Sequence, residues 1–135
     1  MPQQSFVPVL IALQLAAFGW RINREITVGD QDRKTWMPVC DHINIISLLA
    51  VIITCVVVPL GTGGFNRYAT TVLAVAYIFI GFHPVNMAAH YRLFSRQGRN
   101  VYTGDYPYIT GQEIFTVIVS ITIATVAGIY VYHSY

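Results

Sequence analysis

The sequence is short of charge. Asp, Glu, Lys and Arg make up 10% of its 135 residues, where an ordinary soluble domain carries about a quarter. A soluble chain this small exposes much of its surface and needs a polar coat. Eight basic and six acidic side chains cannot supply one, so much of the surface is expected to face lipid. Cysteine is scarce as well, with only Cys40 and Cys55. If the segment between them is helical, they lie about 22 Å apart along the axis. A disulfide needs Cα atoms within about 7 Å, so this pair cannot form one. Cys-x-x-Cys is missing, and the two thiols read as small apolar side chains.

Other absences narrow the function. Net charge is only +2, and no basic run is interleaved with aromatics, so nucleic acid is not an expected partner. Met-Pro-Gln-Gln precedes the first apolar run without the basic region of a signal peptide, so that run is expected to be retained. Gly-x-Ser-x-Gly, His-Glu-x-x-His and the phosphate-binding loop are missing too. The reading therefore leans away from an enzyme.

What the chain has is apolar length. Hydrophobic residues make up 55% of it, gathered in four runs over residues 5–22, 42–60, 69–91 and 113–135. About 20 helical residues cross a hydrocarbon core of about 30 Å. The last three runs meet this. The first is shorter, carries Pro8 and Gln14, and could instead lie at the interface. Membrane strands would be shorter and alternate in polarity, whereas Ile46-Ser47-Leu48-Leu49-Ala50-Val51-Ile52-Ile53 shows no period of two. The expected fold is an all-α integral membrane protein, a compact bundle of four transmembrane helices in one domain.

Boundary signals agree. Asp41 is placed to cap the second helix and Asn66 the third. Thr110-Gly111-Gln112-Glu113 reads as a capping box ahead of the fourth. Gly61-Thr62-Gly63-Gly64 suits a tight reversal. The first connection holds Arg21, Arg24, Arg33 and Lys34, and the third holds Arg92, Arg96 and Arg99. The second holds only Arg67. Basic loops stay on the cytoplasmic side. Loops 23–41 and 92–112 are thus expected to be cytoplasmic, with both termini outside, in a bacterial inner membrane or its equivalent. Trp20, Trp36, Tyr68, Tyr91, Tyr102 and Tyr130 sit at or beyond run ends, where amphipathic rings favour the interface.

One polar constellation stands out. His83, Asn86 and His90 fall within about 60° of one another on a helix face. Polar groups in hydrocarbon are costly unless paired, so this stripe is a candidate ligand or ion site. Pro84 cannot donate to the carbonyl of Ile80, so a kink or local opening is expected there. The second and third runs form an antiparallel hairpin, which puts residues whose numbers sum to about 128 at one depth. Asp41, His42 and Asn44 then share the stripe's layer. The Asn44–Ser47–Thr54 face is expected to look at the third helix, with His42 nearly opposite.

A haem b or a metal at His83 and His90 is a minor reading. The two lie about 10 Å apart along the axis, so a second axial ligand would have to come from elsewhere. Ser120, Ala124 and Gly128, four apart, read as a close-packing helix face, within the bundle or between protomers. Gln14 is expected to hydrogen-bond across helices, and Glu113 to serve as a capping carboxylate. The leading functional expectation is an accessory or structural subunit packed among other membrane subunits or in a homo-oligomer. The alternatives are an oligomeric channel or transporter, and a haem- or quinone-binding redox subunit.

Overall fold

The computed structural model describes residues 3–30, 37–94 and 109–134. Most of these are helical, with no strand among the described residues. Four helices result: α1 (Gln3–Gly29), α2 (Val39–Thr62), α3 (Arg67–His90) and α4 (Gly111–Ser134). All four are long and apolar enough to cross a membrane. Arg33, Lys34, Trp36, Arg96, Arg99, Tyr102 and the other residues of 31–36 and 95–108 lie outside the described residues.

The first helix differs most from its sequence reading. It does not stop near Ile22 but continues to Gly29. Arg21, Asn23, Arg24 and Glu25 look like loop by composition. Arg21 Nη1 pairs with Glu25 Oε1 one turn on, at 2.6 Å, and Thr27 Oγ1 donates to the Asn23 carbonyl. The charges are therefore carried on helix. At about 1.5 Å per residue, the 27 residues of α1 reach roughly 40 Å, ample for a span.

The second helix begins after Pro38, whose extended backbone (φ −57°, ψ 158°) offers no side-chain cap. Asp41 is not the cap that its position suggests. It lies inside the first turn, turned toward neighbouring helices. Farther along, Ile52–Val57 forms a π-helical stretch. Pro59 follows it and supplies a cause, since a proline ring crowds the carbonyl four residues back and has no N–H to offer it. Gly63 ends the helix in the left-handed region, at φ 76°, as the glycine-rich reversal leads one to expect.

Asn66 caps α3 as expected, its Oδ1 accepting from Ala69 N at 3.0 Å. The helix then runs without interruption past Pro84 to His90. Pro84 neither ends nor splits it.

The packing is not a closed four-cornered bundle. The three helices α1, α2 and α3 pack on one another, while α4 packs chiefly along α3. Buried residues of α4 form one stripe, Glu113, Val117, Ser120, Ala124 and Gly128. A Cβ at Gly128 would come within 3.0 Å of Val75 Cγ2, so this glycine is what lets α4 approach α3 so closely. The small-residue face thus meets a helix of the same chain. At the end of the molecule where α2 turns into α3, the core is apolar: Val7, Leu10, Val51, Cys55, Ala69, Leu73 and Ala76.

Candidate functional site: a buried charge network at one end of the bundle

The polar side chains gather at the other end, where α1 and α3 finish and α2 and α4 start. A charge buried alone in a low-dielectric interior is too costly to persist, so each needs a partner. Three helices supply the first set. Arg21 on α1 donates from Nε to Asp41 Oδ2 on α2 at 2.8 Å. The other carboxylate oxygen, Oδ1, lies 2.9 Å from His83 Nε2 on α3. A carboxylate held by a guanidinium can only accept, so Nε2 carries the hydrogen. Arg21 Nη1 also donates to the Tyr91 hydroxyl at 2.6 Å. Arg21 is 2% exposed and Asp41 1%, so this is an interior ion pair. Burial pushes the Tyr91 phenol above its ordinary pKa, opposed by the nearby Arg21 and Arg24 guanidiniums.

A second set ties α4 to the others. His90 Nδ1 lies 2.7 Å from Glu113 Oε2. Glu113 Oε1 accepts from the backbone N–H of Val39 at 3.0 Å. That N–H is one of the unmet donors at the start of α2. Glu113 is therefore a cap for a different helix from the one it belongs to. Only half of the expected capping box forms: Thr110 Oγ1 accepts from Glu113 N at 3.0 Å. The hydroxyl then donates to the Ala89 carbonyl at the end of α3. The Glu113 carboxylate is drawn away by Val39 and His90.

Between the charged end and the apolar end lies a neutral layer. Gln14 Nε2 donates to Ser47 Oγ at 2.9 Å, and Asn44 Nδ2 donates to the Gln14 carbonyl at 3.2 Å. The expected bond from Gln14 across helices is there. The expectation for Asn44 and Ser47 needs correction, because their hydrogen bonds run to α1 rather than α3. The buried side of α2 serves two neighbours, with Asn44 and Ser47 toward α1, Cys40 toward α3 and Asp41 bonded to both. Thr54 donates back to the Ala50 carbonyl of its own helix. His42 is exposed, its Nδ1 3.0 Å from the Pro38 carbonyl, and takes no part. Asn86 is buried beside the histidines, and its Oδ1 has no partner among the described residues.

The two histidines read as one stripe are thus two separate sites. Each is matched to its own carboxylate from a different helix. Sequence reasoning missed Arg21, assigned Asp41 and Glu113 to capping, and passed over Met87. The depth matching of α2 with α3 did hold the signal, since it put Asp41 in the layer of the histidines.

Two further features adjoin His83. The Cys40 thiol donates to Met87 Sδ at 3.3 Å, and ligand atoms of Cys40, Asp41 and His83 all lie within 4.8 Å of one another. Beside them is a cleft of 480 Å³ between α1 and α3, walled mainly by apolar side chains including Leu13, Trp20, Ile80 and Met87, with His83 and Tyr91 as its polar edge. No family model, curated protein or solved structure matches the chain, so the site's meaning rests on its geometry.

Proposed function

We propose that the chain is a non-enzymatic accessory or structural subunit of a larger, or homo-oligomeric, membrane assembly. The observation that carries this reading is the one-sided attachment of α4. That helix is tied to α3 and, through Glu113, to the start of α2. Most of its circumference carries exposed apolar side chains, such as Phe115 at 68% and Ile118 at 58%. Meanwhile the charged groups of the interior are used up in holding helices together, with Arg21, Asp41 and His83 in one set and His90 and Glu113 in the other. A protein whose interior groups are so engaged acts through its outer surface. The loop charges support an orientation with the network end toward the cytoplasm and both termini outside.

A solute path within one chain gains no support from this arrangement. Among the described residues, the buried charged and amide side chains stop at the Gln14–Ser47 layer, and the apolar core closes the other half. A channel would have to form between protomers.

Native-level purification in mild detergent, followed by mass spectrometry of the intact complex, tests the proposal. A stoichiometric partner or a defined homo-oligomer is expected. A lone monomer under those conditions contradicts it. The cleft favours a second reading, a subunit that binds a lipid-soluble ring compound such as a quinone. Its volume lies in the range of about 300–1,000 Å³ usual for ligand pockets. The Tyr91 hydroxyl accepts from Arg21, which frees its own hydrogen to donate to a ligand carbonyl. Quinone in an organic extract of the purified protein would favour this second reading.

A further inference from the structure

We propose that Cys40, Met87 and His83 form a binding site for one soft monovalent metal ion of the Cu(I) class. The three come from the start of α2 and the last turns of α3. Met87 follows His83 by four residues, which puts both on one face of α3. Cys40 Sγ already touches Met87 Sδ at 3.3 Å across the helix pair. One ring nitrogen of His83 lies within 4.8 Å of Cys40 Sγ. All three side chains are buried, at 2%, 6% and 6% exposure. With metal–sulfur bonds of about 2.3 Å, as in zinc thiolates, both sulfurs can reach a single ion lying beside their contact.

The donor set chooses the ion. Thiolate and thioether are soft ligands, which select Cu(I) over hard or borderline cations. The hard oxygens nearby are taken, since Asp41 Oδ2 holds Arg21 and Oδ1 holds His83. Asp41 therefore serves as the outer carboxylate that orients a ligating imidazole.

Charge points the same way. When Cu(I) binds, the thiol S–H bond breaks, the proton leaves to solvent and a Cu–S bond forms. One positive charge replaces another, so the net charge of the buried site is unchanged. A divalent ion would add a charge next to Arg21, in an interior where uncompensated charge is costly. His83 and Met87 also border the 480 Å³ cleft, which gives an ion or its carrier a way in.

The test uses the full chain purified in detergent under anaerobic, reducing conditions. It is titrated with Cu(I) held by the competing chelator bicinchoninate. The protein is expected to take one Cu(I) per chain from the chelator, with sulfur neighbours in the X-ray absorption spectrum. Cys40→Ser should abolish that uptake. Met87→Leu, close in volume, should weaken binding by at least the roughly 10–100-fold that losing an outer-sphere partner brings. Cys55→Ser should leave it intact, because Cys55 sits at the opposite end, bonded to the Ala69 carbonyl. Should Cys40→Ser fail to fold, Met87→Leu decides. The proposal is overturned if the chelator keeps all the copper. It is also overturned if the copper has only nitrogen and oxygen neighbours, if Met87→Leu binds as tightly as the parent, or if Cys55→Ser loses the metal equally.

Discussion

The two ends of this bundle are held by different physics. At the end where α2 reverses into α3, Leu10, Val51, Leu73 and their neighbours pack by shape, with no ion pair among the described residues there. At the other end, Arg21, Asp41 and His83 bind three helices through directed, charge-assisted bonds, and His90 with Glu113 brings in the fourth. In lipid the hydrophobic effect gives helices little reason to associate, so packing and polar bonds must do it. Shape packing tolerates sliding by a turn, whereas a guanidinium–carboxylate–imidazole chain does not. The charged end is therefore the one that fixes register, and the apolar end is the one that fills space.

The comparison breaks most visibly at Arg21. Arg21→Met leaves Asp41 as an uncompensated buried charge, and losing one partner of such a pair costs about 3–5 kcal/mol. Thermal melts in detergent should show little folded protein. Replacing the whole set at once (Arg21→Met, Asp41→Leu, His83→Leu) should behave oppositely. Apolar substitution of a complete buried ion cluster is often neutral or stabilising by about 1–4 kcal/mol. Register should suffer instead, read as heterogeneous crosslinking between cysteines placed on α1 and α2. Uniform crosslinking in the triple variant would remove the register-setting role of the network. Gly128→Leu sets a smaller effect against the α3–α4 contact. Overpacking there, with Val75 Cγ2 only 3.0 Å from a new Cβ, should cost about 1–3 kcal/mol. The smallest change is Gln14→Leu. It removes one bond to Ser47 in the neutral layer, and such bonds in membrane helices average about 0.6 kcal/mol. A larger loss would mean that the boundary between the two ends is itself structural.

What could be read from the sequence divides along the same line. The spans of α2, α3 and α4 are legible because twenty apolar residues in a row have one physical outlet. Asn66 and Gly63 are legible because capping and left-handed backbone are local demands, met within four residues. The small stripe of Ser120, Ala124 and Gly128 follows from helical period alone. The charged end is not local. Arg21 finds Asp41 20 residues away, and Asp41 finds His83 42 residues away. A charge just past an apolar run looks the same whether it starts a loop or crosses to a partner. That is why α1 reads as ending near Ile22 and actually reaches Gly29. Glu113 is the same case, a residue fit to cap its own helix that instead caps α2.

A double-mutant cycle between Arg21 and Asp41, measured by reversible unfolding in a lipid-like bicelle, tests the central claim most directly. Arg21→Met and Asp41→Asn are made singly and together. Close charge pairs show coupling of about 1.5 kcal/mol or more, and the register-fixing role predicts a value in that range. Additivity within about 0.5 kcal/mol, as for independent sites, would contradict it.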